Sequence, residues 1–305
     1  MSSNRNLRKA ASVKNDEFYT LAEDVSAEMW NYLSNFRDKR VYLPCDDFRK
    51  SEFYRFFKAW YHLLGLKNLI CSGIEGWVAR YNGKSEAVFY GNGDFRSSGS
   101  EALLNESDIV VTNPPFSIFG EFVKFLVKHS VDFIILGHKC HVTEKSVFDL
   151  LRYGRVSLGY TVPQRFDSPE GIREMMGVCR WFTTFRGYHR ELKLTRTFSE
   201  SEYPRYMNFD AVNVDRVSEI PCDYKGVMGV PVTFMDYYDP ERFEILGRTG
   251  DIGWARTCGF FTPPSEDKIR GYKKSDPNFR IQNTYIMIDD RLVCKYYRIF
   301  IRLKK

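Results

Sequence analysis

The chain runs to 305 residues, of which 43% are hydrophobic, 28% charged and 16% aromatic. General disorder is excluded, because 25 Phe, 19 Tyr and 5 Trp supply ample apolar surface to bury. A membrane span is not expected either, since no apolar run approaches the roughly 18–20 residues one needs.

The net charge of +6 gathers at the ends. Arg5, Arg8, Lys9 and Lys14 lie near the start, and Arg291, Lys295, Arg298, Arg302, Lys304 and Lys305 near the close. Such ends suit a polyanionic partner, and they equally suit plain solubility. The seven cysteines are scattered without a CxxC pair, and the opening MSSNRNLRKAAS has no apolar leader segment. A reduced, cytoplasmic protein is expected, with no membrane partner.

In chain order, Phe18, Leu21, Val25, Met29, Leu33 and Phe36 recur at helical spacing and predict a helix over 17–36. A strand is predicted at 40–43, stopped by Pro44, and then a helix at 50–64 with Phe53, Phe56, Phe57, Trp60 and Leu64 on one face. Strands follow at 67–71, 87–90 and 108–112, a helix at 117–129, a strand at 132–137 and a helix at 143–152. Strands alternating with helical patterns predict a largely parallel sheet covered on both faces over 17–160. Beyond 160 the pattern changes. WFTTF (181–185) reads as isolated strand pairing, 227–234 as a strand and 239–247 as a short helix. The stretch 248–281 reads as loop, and 284–289 and 296–303 read as closing strands. The division expected is therefore a core over 1–160 and a smaller, irregular region over 161–305, part of it packing back on the core.

The sharpest motif is Asn113-Pro114-Pro115-Phe116, set between the strand DIVVT and a helix. Open α/β sheets carry their reactive groups at the carboxyl ends of strands, where this tetrapeptide falls. An amino group conjugated to a purine ring is a poor nucleophile, because its lone pair is delocalised. Two acceptors aimed at its hydrogens hold it in the tetrahedral, more reactive form. Asn113 offers a side-chain oxygen, and Pro114 a carbonyl in a stiffened backbone that lacks a competing donor. Phe116 offers a ring face for a base that has left its helix. His138, Cys140 and His141 form a second small cluster, but H-x-C-H matches no standard metal spacing, and no metal is assigned.

Asn-Pro-Pro-Phe resembles the catalytic motif of amino-group DNA methyltransferases. The blocks KNDEFYT (14–20), VYLPCDD (41–47), GDFRSS (93–98), SDIVVTNPPFS (107–117) and GVMGVPVTF (226–234) resemble, in content and order, the EcoRI-type adenine-specific DNA methyltransferase family. They span most of the chain. The resemblance implies a Rossmann-like α/β methyltransferase sheet with S-adenosylmethionine bound across its switch point, leaving S-adenosylhomocysteine as product. It implies catalytic roles for Asn113, Pro114, Pro115 and Phe116. It implies cofactor contacts from Phe18, Tyr19 and Thr20 at the methionine end, from Pro44, Cys45 and Asp46 in the turn after the first strand, from Asp94 and Phe95 at the adenine, and from Asn113. The turn at 44–46 has no glycine, a departure shared with the EcoRI-type family.

The function expected is methyl transfer from S-adenosylmethionine to N6 of adenine in double-stranded DNA, with base flipping and no metal. Residues 161–305 would then serve target recognition. Alternatives of the same chemistry act on RNA adenine, cytosine N4 or protein glutamine, and an inactive DNA-binding protein is the alternative of another class. Double-stranded DNA is the partner expected and a monomer the expected state. A cognate restriction endonuclease acting on the same site is left open.

Overall fold

The computed structural model describes residues 19–304 apart from 169, 170, 175, 176 and 296. The described residues fall into two compact units that divide between Tyr188 and His189.

The first unit is built on an eight-stranded sheet. Its strands are β1 (Arg40–Pro44), β2 (Asn68–Ser72), β3 (Trp77–Tyr81), β4 (Glu86–Tyr90), β5 (Ile109–Thr112), β6 (Asp132–His138), β7 (Ser157–Leu158) and β8 (Cys179–Thr183). Their spatial order is β4-β3-β2-β1-β5-β6-β8-β7. The four central strands run parallel, and both flanks are antiparallel.

The central strands are buried on both sides, as their unbroken apolar runs require. Val41, Leu43, Ile109, Val111, Ile134 and Leu136 face one core. That core is closed by α1 (Ala22–Met29) and α2 (Glu52–Ala59), through Val25, Met29, Phe53, Phe56 and Phe57. The alternate residues Tyr42, Val110, Phe133 and Ile135 are equally buried on the opposite face. The helices α3 (Ser98–Asn105), α4 (Phe119–Lys128) and α5 (Lys145–Arg152) complete this α/β unit. Ser51 caps α2 by accepting the Tyr54 backbone N–H at 3.0 Å, an arrangement worth about 1 kcal/mol.

Several local readings change. Tyr19–Thr20 is a short strand paired antiparallel with Arg165–Ser168, so the helix begins only at Ala22. The positions 17 and 18 of the expected helix lie outside the described residues. Strand β3 was not anticipated. Strand β8, read as isolated pairing, lies inside the sheet between β6 and β7, and the first unit therefore continues past 160.

The second unit has a four-stranded sheet of β9 (Val212–Asn213), β10 (Met228–Pro231), β11 (Phe243–Arg248) and β14 (Arg298–Leu303), in the order β9-β10-β14-β11. A separate hairpin joins β12 (Thr284–Ile288) and β13 (Arg291–Lys295). The core gathers Tyr206, Phe209, Leu246, Phe260, Ile286 and Phe300. Most of 239–247, read as a short helix, is strand, because Phe243 and Ile245 alternate inward while Glu244 is exposed. The stretch read as loop contains α6 (Ile252–Thr257) and α7 (Glu266–Ser275).

Candidate active site

At the carboxyl end of β5, Thr112 is fully buried, and its hydroxyl donates to the carbonyl of Pro44, the last residue of β1. This bond ties the start of the Asn113-Pro114-Pro115-Phe116 segment to the turn after the first strand. In that turn Cys45 takes the left-handed conformation, φ 60°, which is the geometry glycine usually supplies. A non-glycine residue there carries a strain of roughly 1–2 kcal/mol. The Asp46 N–H then donates to the Ser72 carbonyl at 3.0 Å, carrying the turn across to the end of β2.

Two glycines let a third segment close in. A Cβ on Gly73 would sit 2.9 Å from the Asp46 carbonyl oxygen, and one on Gly93 would collide with the Gly73 carbonyl. Residues 44–46, 72–74 and 92–95 therefore meet backbone to backbone. The glycine in GNGDF has a packing reason.

Charge at this junction is unusual. Burial lifts the Asp46 carboxyl to about 7, against the opposing hydrogen bonds from the Ser51 hydroxyl and the Asp47 N–H. Burial pushes the Cys45 thiol up to about 12, and the carboxylates of Asp46 and Asp94 add to that shift while Arg96 opposes it. The three acidic or thiol side chains thus share one electrostatic neighbourhood. Asp94 is buried, and its carboxylate accepts the Arg96 N–H at 3.0 Å. Arg96 in turn grips Glu121 of α4 through two bonds, at 2.6 and 2.8 Å.

Of the other expected contacts, Phe18 lies outside the described residues. The Tyr19 ring lies under Lys50 Nζ, 6.0 Å from its centroid, which brings the 19–20 segment beside the loop that follows Asp46. Thr20 is buried, and its hydroxyl oxygen has no hydrogen-bond partner among the described residues. Such an orphan is costly unless something else satisfies it. Phe95 is a buried core residue, edge-on to Phe122 at 5.1 Å and to Phe125 at 5.3 Å, with the Arg96 guanidinium 4.9 Å from its ring centroid.

Within the motif, Pro114 is buried, while Asn113, Pro115 and Phe116 are half-buried. The Phe116 ring meets His138 and His141 edge-on, each at 6.0 Å between centroids. Sequence reasoning missed Ser51, Gly73, Thr112 and His138 as parts of this site. Only the histidine had drawn notice, and as a metal candidate. Among the described residues no group of three His, Cys, Asp or Glu side chains is arranged to hold a metal ion.

The model of the family described as "Adenine-specific methyltransferase EcoRI" matches residues 6–84 and 78–304. The chain belongs to this family. It is 39% identical to the type II methyltransferase M.EcoRI of Escherichia coli, over 80% of this chain and 89% of that one. It is 34% identical to the type II methyltransferase M.MpnI of Mycoplasma pneumoniae, over 78% and 84% of the two chains. To M.MgeORF184P of Mycoplasma genitalium the identity is 31%, over the same shares. The protein is an adenine-specific DNA methyltransferase with a Rossmann-like sheet.

Proposed function

We propose that this methyltransferase acts on N6 of an adenine flipped out of double-stranded DNA, with S-adenosylmethionine as donor. The observation that carries the reading is the Thr112–Pro44 bond, which couples the Asn113 segment to the 44–46 turn at the carboxyl ends of two central strands. Asn113 and Pro114 offer the two acceptors for the N6 hydrogens, and Phe116 the face against which the base rests. Pro115 fixes the backbone between them. The second unit, with the basic ends of the chain, is the region proposed to read and grip the duplex.

The residues present fit the cofactor. The Thr20 hydroxyl, without a hydrogen-bond partner among the described residues, is available to its amino-acid end. Asp46, held half-protonated near neutrality by burial, would be returned to its ionised form by an ammonium group beside it. Asp94 and the close-packed backbone of 73 and 93 border the same junction. When bound, the cofactor supplies a methyl group already activated on a sulfonium, so the chain needs neither nucleophile nor metal. What the chain supplies is position: the amine is held along the line of transfer, and water is kept away.

Asn113→Ala tests the reading. The acceptor for N6 is lost while the segments around the cofactor stay. Methylation should fall by more than about a hundredfold, with cofactor affinity in a calorimetric titration changed less than about threefold. An active Asn113→Ala enzyme would sink the mechanism.

A further inference from the structure

His138 ends β6, the neighbour of the strand that delivers Asn113. Thr112 pairs with Ile135 in that register, and three residues further along each chain come Pro115 and His138. The imidazole is half-buried against Phe116, with the two ring planes inclined at 62°. His141, stacked on Phe119 at 4.2 Å and held by Glu144 at 3.2 Å, backs the same Phe116 ring from another side. The aromatic face offered to a base is therefore flanked by an imidazole whose orientation is fixed.

Its tautomer follows from one bond. The Cys140 N–H donates to His138 Nδ1 at 3.1 Å, so Nδ1 carries no proton, and in the neutral ring the proton sits on Nε2. Burial first, and then the charge of Lys139, hold the His138 pKa below its ordinary value, which keeps the ring neutral near pH 7. The Nε2–H donor has no hydrogen-bond partner among the described residues. A half-buried donor of fixed tautomer, beside the ring on which the base rests, calls for an acceptor.

Adenine carries such an acceptor next to its amino group. N1 shares the Watson–Crick edge with N6, so a motif that holds N6 brings N1 into the same corner. Guanine places an N–H there and would oppose the donor. We propose that His138 Nε2–H donates to N1 of the flipped adenine and is a base-contacting, specificity-determining residue of this enzyme. The inference rests on the adenine-flipping reading above.

The test begins with the methylated site, located by sequencing DNA from cells that express the protein. Duplexes are then made with adenine, 1-deazaadenine or 7-deazaadenine at the target, and kcat/KM is measured for each. Removing N1 also changes the intrinsic reactivity of N6, so the informative quantity is the penalty in wild type relative to that in the variant. His138→Ala and His138→Phe both lack the donor, and the second keeps a ring packed against Phe116. In both, the 1-deaza penalty should shrink by roughly tenfold or more relative to wild type, the scale of one well-formed hydrogen bond in a closed site. The 7-deaza penalty should be the same in all three enzymes, and His138→Gln, which retains an N–H donor, should recover part of the 1-deaza discrimination. An equal 1-deaza penalty in wild type and His138→Phe would overturn the assignment, as would a change confined to the 7-deaza duplex. If the methylated base located by sequencing is not N6 of adenine in a duplex, the flipping reading itself fails, which is a different result.

Discussion

Burial brings the Asp46 carboxyl toward neutral pH, and this sets how the fold responds to acid and base. Burial raises its folded-state pKa from 3.8 to about 7. Below 3.8 both folded and unfolded chains hold the proton, and the group's contribution to stability is fully present. Between 3.8 and about 7 the folded chain holds a proton that the unfolded chain has lost, so that contribution declines as pH rises. Asp46→Asn removes the titration. In urea melts without cofactor, the stability difference between Asn variant and wild type should shift steadily in favour of the variant from pH 4 to 7. A difference constant with pH would show that Asp46 titrates normally. The residues of the motif were legible because proline pairs after an apolar run are rare and chemically pointed. Thr112 and His138 were not, since each acts through a partner that only the fold brings near: Thr112 reaches Pro44 across 68 positions of sequence.

The elements that matter most to the site are β1 and β5, paired in parallel and tied at their carboxyl ends by that hydroxyl. Thr112→Val keeps the shape and removes the donor, leaving the Pro44 carbonyl unpaired among buried neighbours. The cost should be about 1–3 kcal/mol, seen as a lower melting temperature. Methylation should fall further than that loss of stability explains, because Asn113 follows directly on Thr112. A variant equally destabilised but with unchanged kcat would mean the bond serves the fold alone. The alternating apolar strands made the parallel centre of the sheet readable, whereas its flanks were not. β3, WVARY, shows no clean two-residue period, and β8 finds its place only through pairing with β6. In the second unit, the sequence Asp-Pro-Glu-Arg ahead of Phe243 carries helix-starting signals that were outweighed by inward alternation and by pairing with β14. Helix α7 was hidden by its polarity, since none of its residues is buried. Its signals were local ones: a Ser265 cap, acids in the first turn and Lys273 and Lys274 in the last, each matched to the helix dipole.

For the whole molecule the governing quantity is charge facing a polyanion. A sequence of net charge +6 that acts on DNA must draw part of its affinity from phosphate contacts, and these are independent of sequence and weakened by salt. The first fifteen residues contain Arg5, Arg8, Lys9 and Lys14 and no acid. If this arm lies along the backbone of the duplex, deleting residues 1–12 removes three of those charges. Each lost phosphate contact lowers the slope of log K against log salt by about 0.9, so the slope should flatten by up to about 2.7. Because phosphates carry no sequence information, affinity for target and for unrelated DNA should drop by the same factor, and their ratio should hold. Fluorescence anisotropy on both duplexes over a range of salt concentrations separates the outcomes. A flattened slope with an unchanged ratio identifies the arm as a phosphate clamp. A flattened slope with a reduced ratio would mean that it also reads bases. An unchanged slope would leave it a solubilising tail, and the phosphate contacts would then come from basic residues elsewhere in the chain.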